Sequence, residues 1–126
     1  MDIVLIAGLW FDHSAWDLVV PEVERLGHRP RPVTLPGQGD GALVATLDDP
    51  VAAVAAAVDR CDAPVLVVGL SAACSLAWCA ADARPDQASR VAMIGGFGRP
   101  EGEPYAAAFP VVDGLVSFPR WWSLRG

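Results

Sequence analysis

Lysine is absent from this 126-residue sequence, and all nine of its basic residues are arginine. The net charge is −6 and the arginines form no cluster, so the chain lacks the positive surface that neutralises phosphates. We therefore expect no nucleic-acid partner. No apolar run approaches the length of about 20 residues that crosses a bilayer, so we expect no membrane partner. The apolar segment at residues 1–8 is short and includes Asp2, so it does not have the pattern of a secretory signal. We therefore expect a cytoplasmic location.

Cysteine and histidine are also scarce. The three cysteines (Cys61, Cys74 and Cys79) are odd in number and do not have the spacing of metal ligands. They are therefore interpreted as buried, reduced thiols. The chain has only two histidines, His13 and His28, which limits the choice of any catalytic base.

What the sequence has in abundance is apolar residues, at 53% hydrophobic and 19% charged, which is typical of one globular domain. Continuous apolar runs separated by helical patterns predict strand and helix in alternation. Pro21 should kink or divide the first helix, and Trp78 on the third is predicted to be a core residue. The order favours a parallel sheet of about four strands with helices on both faces. The predicted strands cover residues 3–7, 31–35, 65–68 and 90–94, and the helices cover residues 16–26, a segment beginning at 48, and 71–83.

The pattern changes after residue 98. Residues 99–126 contain four prolines and the pair Trp121-Trp122, with no clear strand and at most a short helix at 105–109. We therefore divide the chain into a core at residues 1–98 and a partial lid or cap segment at residues 99–126.

The segment "GLSAA", residues 69–73, lies between a predicted buried strand and a predicted helix. This context is the one that a nucleophile elbow requires. Small residues are needed two positions before and after the serine, and Gly69 and Ala73 meet that need. The amide of Ala72 would then face a developing oxyanion. The alternative is that Ser71 only caps the helix.

Together with "GLSAA", three further segments occur in the order seen in one family: "AGLW" after the first strand, "VTLPGQGDG" after the second, and "RVAMIGGF" in the fourth. Together they resemble the α/β-hydrolases over residues 2–98, and to about residue 120 if the lid is included. The resemblance implies the N-terminal half of that fold. It also implies Ser71 as the nucleophile, oxyanion-hole amides from Leu9 and Ala72 (with Trp10 as the alternative to Leu9), and no metal or organic cofactor. Ala7 departs from the family, which usually has histidine there.

The family's catalytic histidine and its usual acid follow the lid, so the resemblance implies that this chain lacks both. His13 belongs to the same predicted sheet edge as Ser71, and we interpret it, with Trp10, as lining a substrate site. His28 is expected at the opposite edge. Glu101 and Glu103 follow the fourth strand, where some relatives carry the acid, although solvated loop charges are the alternative.

Three functions follow from these residues. The leading hypothesis is a serine hydrolase acting on carboxylic esters or related small acyl substrates, impaired by the missing acid and histidine. The alternative is a non-catalytic binding or assembly module derived from a hydrolase. A nucleotide-binding domain is disfavoured, because "AGLWFD" has neither a glycine-rich fingerprint nor a P-loop lysine. The resemblance implies two further strands beside the strand at 90–94, which would otherwise be an exposed apolar edge. This predicts either a homo-oligomer through residues 90–94 or a missing C-terminal half.

Overall fold

Four parallel strands form the centre of the chain. The computed structural model describes residues 1–8, 11–35 and 48–96, and the backbone of residues 111–112 and 115–116. The sheet has the order β2-β1-β3-β4. Its strands are β1 (Asp2–Ile6), β2 (Arg29–Val33), β3 (Val65–Leu70) and β4 (Ala88–Ile94).

Three helices connect these strands: α1 (Val20–Arg25), α2 (Asp48–Asp59) and α3 (Cys74–Ala83). A short 3-10 helix, His13–Trp16, precedes α1, and Pro21 lies in the first turn of α1. The predicted helix at 16–26 is thus divided near Pro21, as expected for a residue that supplies no amide donor. A second 3-10 turn, Ser71–Ala73, leads directly into α3.

The two faces of the sheet bury separate apolar clusters. On one face, α2 and α3 pack against Val4, Ile6 and Val67. On the other, Trp16 and the partly buried α1 residues pack against Ile3 and Leu5. Alternate residues of β1 therefore face opposite layers, as the period of a strand requires, and the predicted sheet with helices on both faces is confirmed.

The direction of winding reverses at the centre of this sheet. The connection from β1 leads to β2 on one side, whereas β3 pairs with the other side of β1. The carboxyl ends of β1 and β3 lie side by side, because Ile6 is the register partner of Gly69. In open α/β sheets, ligands bind outside the carboxyl ends of strands at such a reversal.

Two expectations were wrong. Residues 99–126 were predicted to contain no clear strand, yet β5 (Val111–Val112) and β6 (Leu115–Val116) pair antiparallel in a separate two-stranded sheet. The Asp-Gly dipeptide between them in the sequence is a common hairpin signal. The predicted helix at 105–109 lies outside the described residues.

Trp78 was predicted to be in the core, but its side chain is 60% exposed. The residues of α3 that face the sheet are Leu76, Ala77 and Ala80, and Trp78 lies away from them on the helix. Cys61 and Cys74 are buried thiols as predicted, whereas Cys79 is half-buried.

Candidate functional site

Ser71 occupies a strained turn at the carboxyl end of β3. Its φ is +56°, and it is the one non-glycine residue with positive φ among the described residues. A left-handed conformation costs an L-residue roughly 1–2 kcal/mol, so the surrounding contacts must impose it. The side chain is exposed, and no other described residue forms a hydrogen bond with its hydroxyl.

Glycine at position 69 allows the turn to close. A Cβ at this position would collide with the carbonyl oxygen of Ala73 and would lie 2.9 Å from the Cα of Cys74. The chain before Ser71 therefore packs directly against the chain after it, as predicted from Gly69 and Ala73. Any side chain at position 69 would force the strand and the helix apart.

Gly96 supports the turn from the end of β4. A Cβ there would collide with the carbonyl oxygen of Ser71 and would lie 2.7 Å from Cys74 Sγ. The Cys74 thiol is buried, and its sulfur lies 3.3 Å from the Gly69 carbonyl oxygen and 3.7 Å from that of Ile94. Burial raises the pKa of Cys74, which keeps it a neutral thiol. Gly96 is not among the site residues predicted from the sequence. The glycine pair directly after a predicted parallel strand does indicate a close approach of the backbone there.

The end of β1 approaches Ser71 from the other side. A Cβ on Gly8 would lie 3.5 Å from the Cβ of Ser71 and 3.3 Å from the Leu70 carbonyl oxygen. Gly8 therefore lies beside the serine. Ala72 lies in the 3-10 turn and is half-buried. Leu9 and Trp10, predicted as an oxyanion-hole amide and a lining residue, lie outside the described residues.

His13 lies at the same edge of the sheet as Ser71, but it is hydrogen-bonded to Thr34, which directly follows β2. Its Nδ1 and the hydroxyl oxygen of Thr34 are hydrogen-bonded at 2.6 Å, and its backbone N–H donates to that oxygen at 3.2 Å. Asp12 caps the 3-10 helix by accepting a hydrogen bond from the Ser14 amide at 2.8 Å. These hydrogen bonds connect His13 to Thr34, and none connects it to Ser71.

The structure places none of the remaining candidate residues beside Ser71. His28 precedes β2 at the opposite edge of the sheet, with its Nδ1 3.5 Å from the amino terminus of Met1. Glu101 and Glu103 lie outside the described residues. Within the ranges that the structure describes, no group of His, Cys, Asp and Glu side chains could hold a metal ion. No helix there is long and apolar enough to cross a membrane.

The sequence assigns the chain to a known family. The sequence profile of the Alpha/beta hydrolase family matches residues 3–126. The chain belongs to this family. No curated protein sequence matches it.

Several solved α/β-hydrolase structures are similar to this chain. An extracellular α/β-hydrolase from a Paenibacillus species has a TM-score of 0.74 at 23% identity, covering 87% of this chain and 46% of the other. A pyrethroid hydrolase from Sphingobium faniae JZ-2 has a TM-score of 0.69 at 26% identity, covering 90% and 53%. Polyneuridine aldehyde esterase has a TM-score of 0.69 at 18% identity, covering 77% and 40%. The chain thus spans roughly half the length of these hydrolases or less.

Proposed function

We propose that this chain carries the nucleophile half of a serine hydrolase that acts on carboxylic esters or related small acyl substrates. The observation that carries the proposal is the strained Ser71 turn: its φ is +56°, its hydroxyl is exposed, and it opens a helix at the carboxyl edge of the sheet. A serine that only capped the helix would have no need of positive φ. The strain therefore favours the nucleophile elbow over the cap.

The turn suggests a role in acyl transfer for the Ser71 hydroxyl and for the neighbouring backbone amides. The hydroxyl oxygen of Ser71 would attack the acyl carbonyl carbon, forming a C–O bond as the carbonyl π electrons move to its oxygen. The amide of Ala72, together with that of Leu9 or Trp10, would donate to this oxyanion. Collapse of the intermediate expels the alcohol, and water then releases the acid and regenerates Ser71.

The attack needs a base to take the serine proton, and the same group would then give that proton to the departing alcohol. In the second half it would take a proton from the attacking water and return it to Ser71.

The described contacts of His13 are with Thr34, and His28 lies at the opposite edge of the sheet. Because these are the two histidines of the sequence, we propose that the catalytic histidine, with its orienting acid, is supplied from outside these 126 residues. Without them, we expect slow acylation and an impaired enzyme. The acyl-ester substrate class rests on Ser71 and on the similarity to pyrethroid hydrolase at 26% identity, whereas the esterase at 18% supports the fold alone.

Labelling with a fluorophosphonate tests the nucleophile. Intact mass would be measured for the parent chain and for Ser71→Ala after circular dichroism has shown that both are folded. We expect one adduct on the parent and none on Ser71→Ala. Ser75→Ala is the matched control, because Ser75 lies in the adjoining helix and is 1% exposed. Absence of an adduct on a folded parent chain would overturn the proposal.

The second candidate is a non-catalytic binding module on the same fold. It is favoured by the hydrogen bonds of His13, which leave no described histidine at Ser71. This candidate predicts saturable binding of a short acyl ester with no release of alcohol and no fluorophosphonate adduct. Isothermal titration of a non-hydrolysable amide analogue, run beside the labelling experiment, separates the two functions.

A further inference from the structure

The peptide unit between Ser71 and Ala72 contains the N–H that the proposed oxyanion needs. A trans peptide bond is planar, so its carbonyl oxygen and its N–H point in opposite directions. The direction of the Ser71 carbonyl therefore determines the direction of the Ala72 N–H. Any group that holds this carbonyl also orients the amide on the far side of the same peptide.

Two described groups hold the Ser71 carbonyl. The backbone N–H of Cys74 donates a hydrogen bond to its oxygen where the 3-10 turn ends. Gly96 packs against the same peptide, because a Cβ on Gly96 would collide with the Ser71 carbonyl oxygen and would lie 2.9 Å from the carbonyl carbon. The carbonyl therefore points towards the start of α3 and towards Gly96, and the Ala72 N–H points away from both.

The side chain of Cys74 joins the ends of the two strands beside this peptide. Its Sγ is fully buried and lies 3.3 Å from the Gly69 carbonyl oxygen on β3 and 3.7 Å from the Ile94 carbonyl oxygen on β4. A Cβ on Gly96 would lie 2.7 Å from the same sulfur. The thiol thus fills the space between β3, β4 and Gly96. An alanine at position 74 would leave a gap there, into which the end of β4 and the Ser71 carbonyl can relax.

We propose that Cys74 is a positioning residue for the oxyanion donor: its backbone N–H and its thiol hold the Ser71–Ala72 peptide so that the Ala72 amide faces the developing oxyanion. The inference rests on the proposed hydrolase function, which supplies the oxyanion. The thiol takes no part in bond formation, because it is buried beneath the turn, whereas the Ser71 side chain is exposed.

Cys61 provides a matched control elsewhere in the fold. It is also a buried thiol, and its Sγ lies 3.3 Å from the carbonyl oxygen of Ala57, the same distance that separates Cys74 Sγ from the Gly69 carbonyl oxygen. Cys61 lies between α2 and the start of β3, at the amino ends of the strands. Cys61→Ala and Cys74→Ala each remove one buried sulfur and one thiol–carbonyl contact, so a general loss of packing affects both alike.

The rate of fluorophosphonate labelling tests the positioning, because the phosphoryl oxygen of the reagent takes the place of the oxyanion. Loss of a whole oxyanion donor costs about 10²–10³ in rate, and a misoriented donor should cost part of that. We expect Cys74→Ala to be labelled about tenfold more slowly than the parent chain and Cys61→Ala at the parent rate, although the urea midpoints of both variants fall.

Cys74→Ser keeps a hydrogen-bond donor on a shorter side chain, so its labelling rate should lie between those of Cys74→Ala and the parent chain. A parent-like rate in folded Cys74→Ala would overturn the proposal. If Cys74→Ala does not fold, a parent-like rate in Cys74→Ser would overturn it.

Residual dipolar couplings test the orientation without any reaction. The coupling of the Ala72 N–H reports its direction relative to the N–H groups of Leu76 and Ala77 in α3. We expect the Ala72 coupling to change in Cys74→Ala while those of Leu76 and Ala77 stay the same, and all three to stay the same in Cys61→Ala. A parent chain that is not labelled but shows this change would contradict the hydrolase function and support the positioning. A labelled parent chain whose Ala72 coupling is unchanged by Cys74→Ala would contradict the positioning alone.

Discussion

Strands β2 and β4 are both edges of one parallel sheet, yet they are anchored at opposite ends. β2 is held at its amino end, where Arg29 donates to the buried carboxylate of Asp2 and the Asp62 amide donates to the same carboxylate at 2.8 Å. β4 is held at its carboxyl end, where Gly96 packs under the carbonyl of Ser71. The first anchor secures the fold far from the candidate site. The second connects an edge strand directly to the strained serine.

The anchor of β2 therefore contributes to stability, whereas the anchor of β4 also supports the Ser71 turn. Changes at the amino end of β2 should alter stability and leave Ser71 in place. The contacts there lie at the edge formed by the amino ends of the strands, whereas the Ser71 turn lies at the carboxyl ends. Changes at the carboxyl end of β4 should alter both stability and the geometry of Ser71. The following predictions test that separation, in order of decreasing effect on the free energy of unfolding.

Gly96→Ala should have the largest effect. The new Cβ would collide with the Ser71 carbonyl and press on Cys74 Sγ, so the backbone of the turn must shift. We expect a loss of about 2–4 kcal/mol in the free energy of unfolding, as for other overpacked or strained sites, together with loss of fluorophosphonate labelling. Urea denaturation and intact mass measure the two effects. Gly27→Ala is the control at a positive-φ glycine remote from the turn.

Asp2→Asn should weaken the β2 anchor. The hydrogen bond from Arg29 holds the pKa of Asp2 below its ordinary value. The carboxylate is 1% exposed. Replacing it with a neutral amide removes its charge-assisted hydrogen bonds and should lower the free energy of unfolding by about 1–2 kcal/mol at pH 7. Because the folded pKa is depressed, this stabilisation is complete above the ordinary pKa and disappears as pH falls through the folded value.

The stability difference between the parent and Asp2→Asn should therefore narrow below about pH 4. Thermal denaturation at several pH values measures it. Labelling of Ser71 should persist in Asp2→Asn, and its loss in a folded variant would contradict the separation of the two anchors.

Ser71→Gly and Ser71→Ala both remove the hydroxyl but differ in backbone freedom. Glycine adopts φ near +56° without the steric cost that alanine meets, so Ser71→Gly should be more stable than Ser71→Ala by about 1 kcal/mol. Urea midpoints of the two variants, with equal slopes, measure the difference. Equal stabilities would mean that the turn is not strained.

Pro30→Val combined with Pro32→Val should change the free energy of unfolding least, by less than about 1 kcal/mol in total, but should promote self-association. The amide of Arg29 donates to the Met1 carbonyl oxygen, so positions 30 and 32, which alternate with it, face away from β1. The variant therefore gains outward amide donors on β2, and this edge can pair with another strand. We expect larger species than the parent chain forms, measured by sedimentation velocity. Pro85→Val, in the turn before β4, is the control and should leave the distribution unchanged.

The local sequence predicted much of the fold. The four apolar runs and their helical connections indicated the parallel sheet, and Pro21 indicated where the first helical region divides. Gly69 and Ala73, around Ser71, indicated a tight strand-to-helix turn. These features depend on period, size and backbone freedom within a few residues, which a sequence contains directly. The Asp-Gly hairpin between β5 and β6 was of the same kind and was overlooked.

The sequence by itself determined the strand–helix alternation, the small residues around Ser71 and the prolines of β2. Only the tertiary structure decided that Gly96 packs under Ser71, that Thr34 is hydrogen-bonded to His13, and that Trp78 faces outward. The physical reason is that these outcomes depend on which strands are neighbours and which helix face meets the sheet. Contacts of that kind join residues far apart in the chain, and local periodicity carries no information about them.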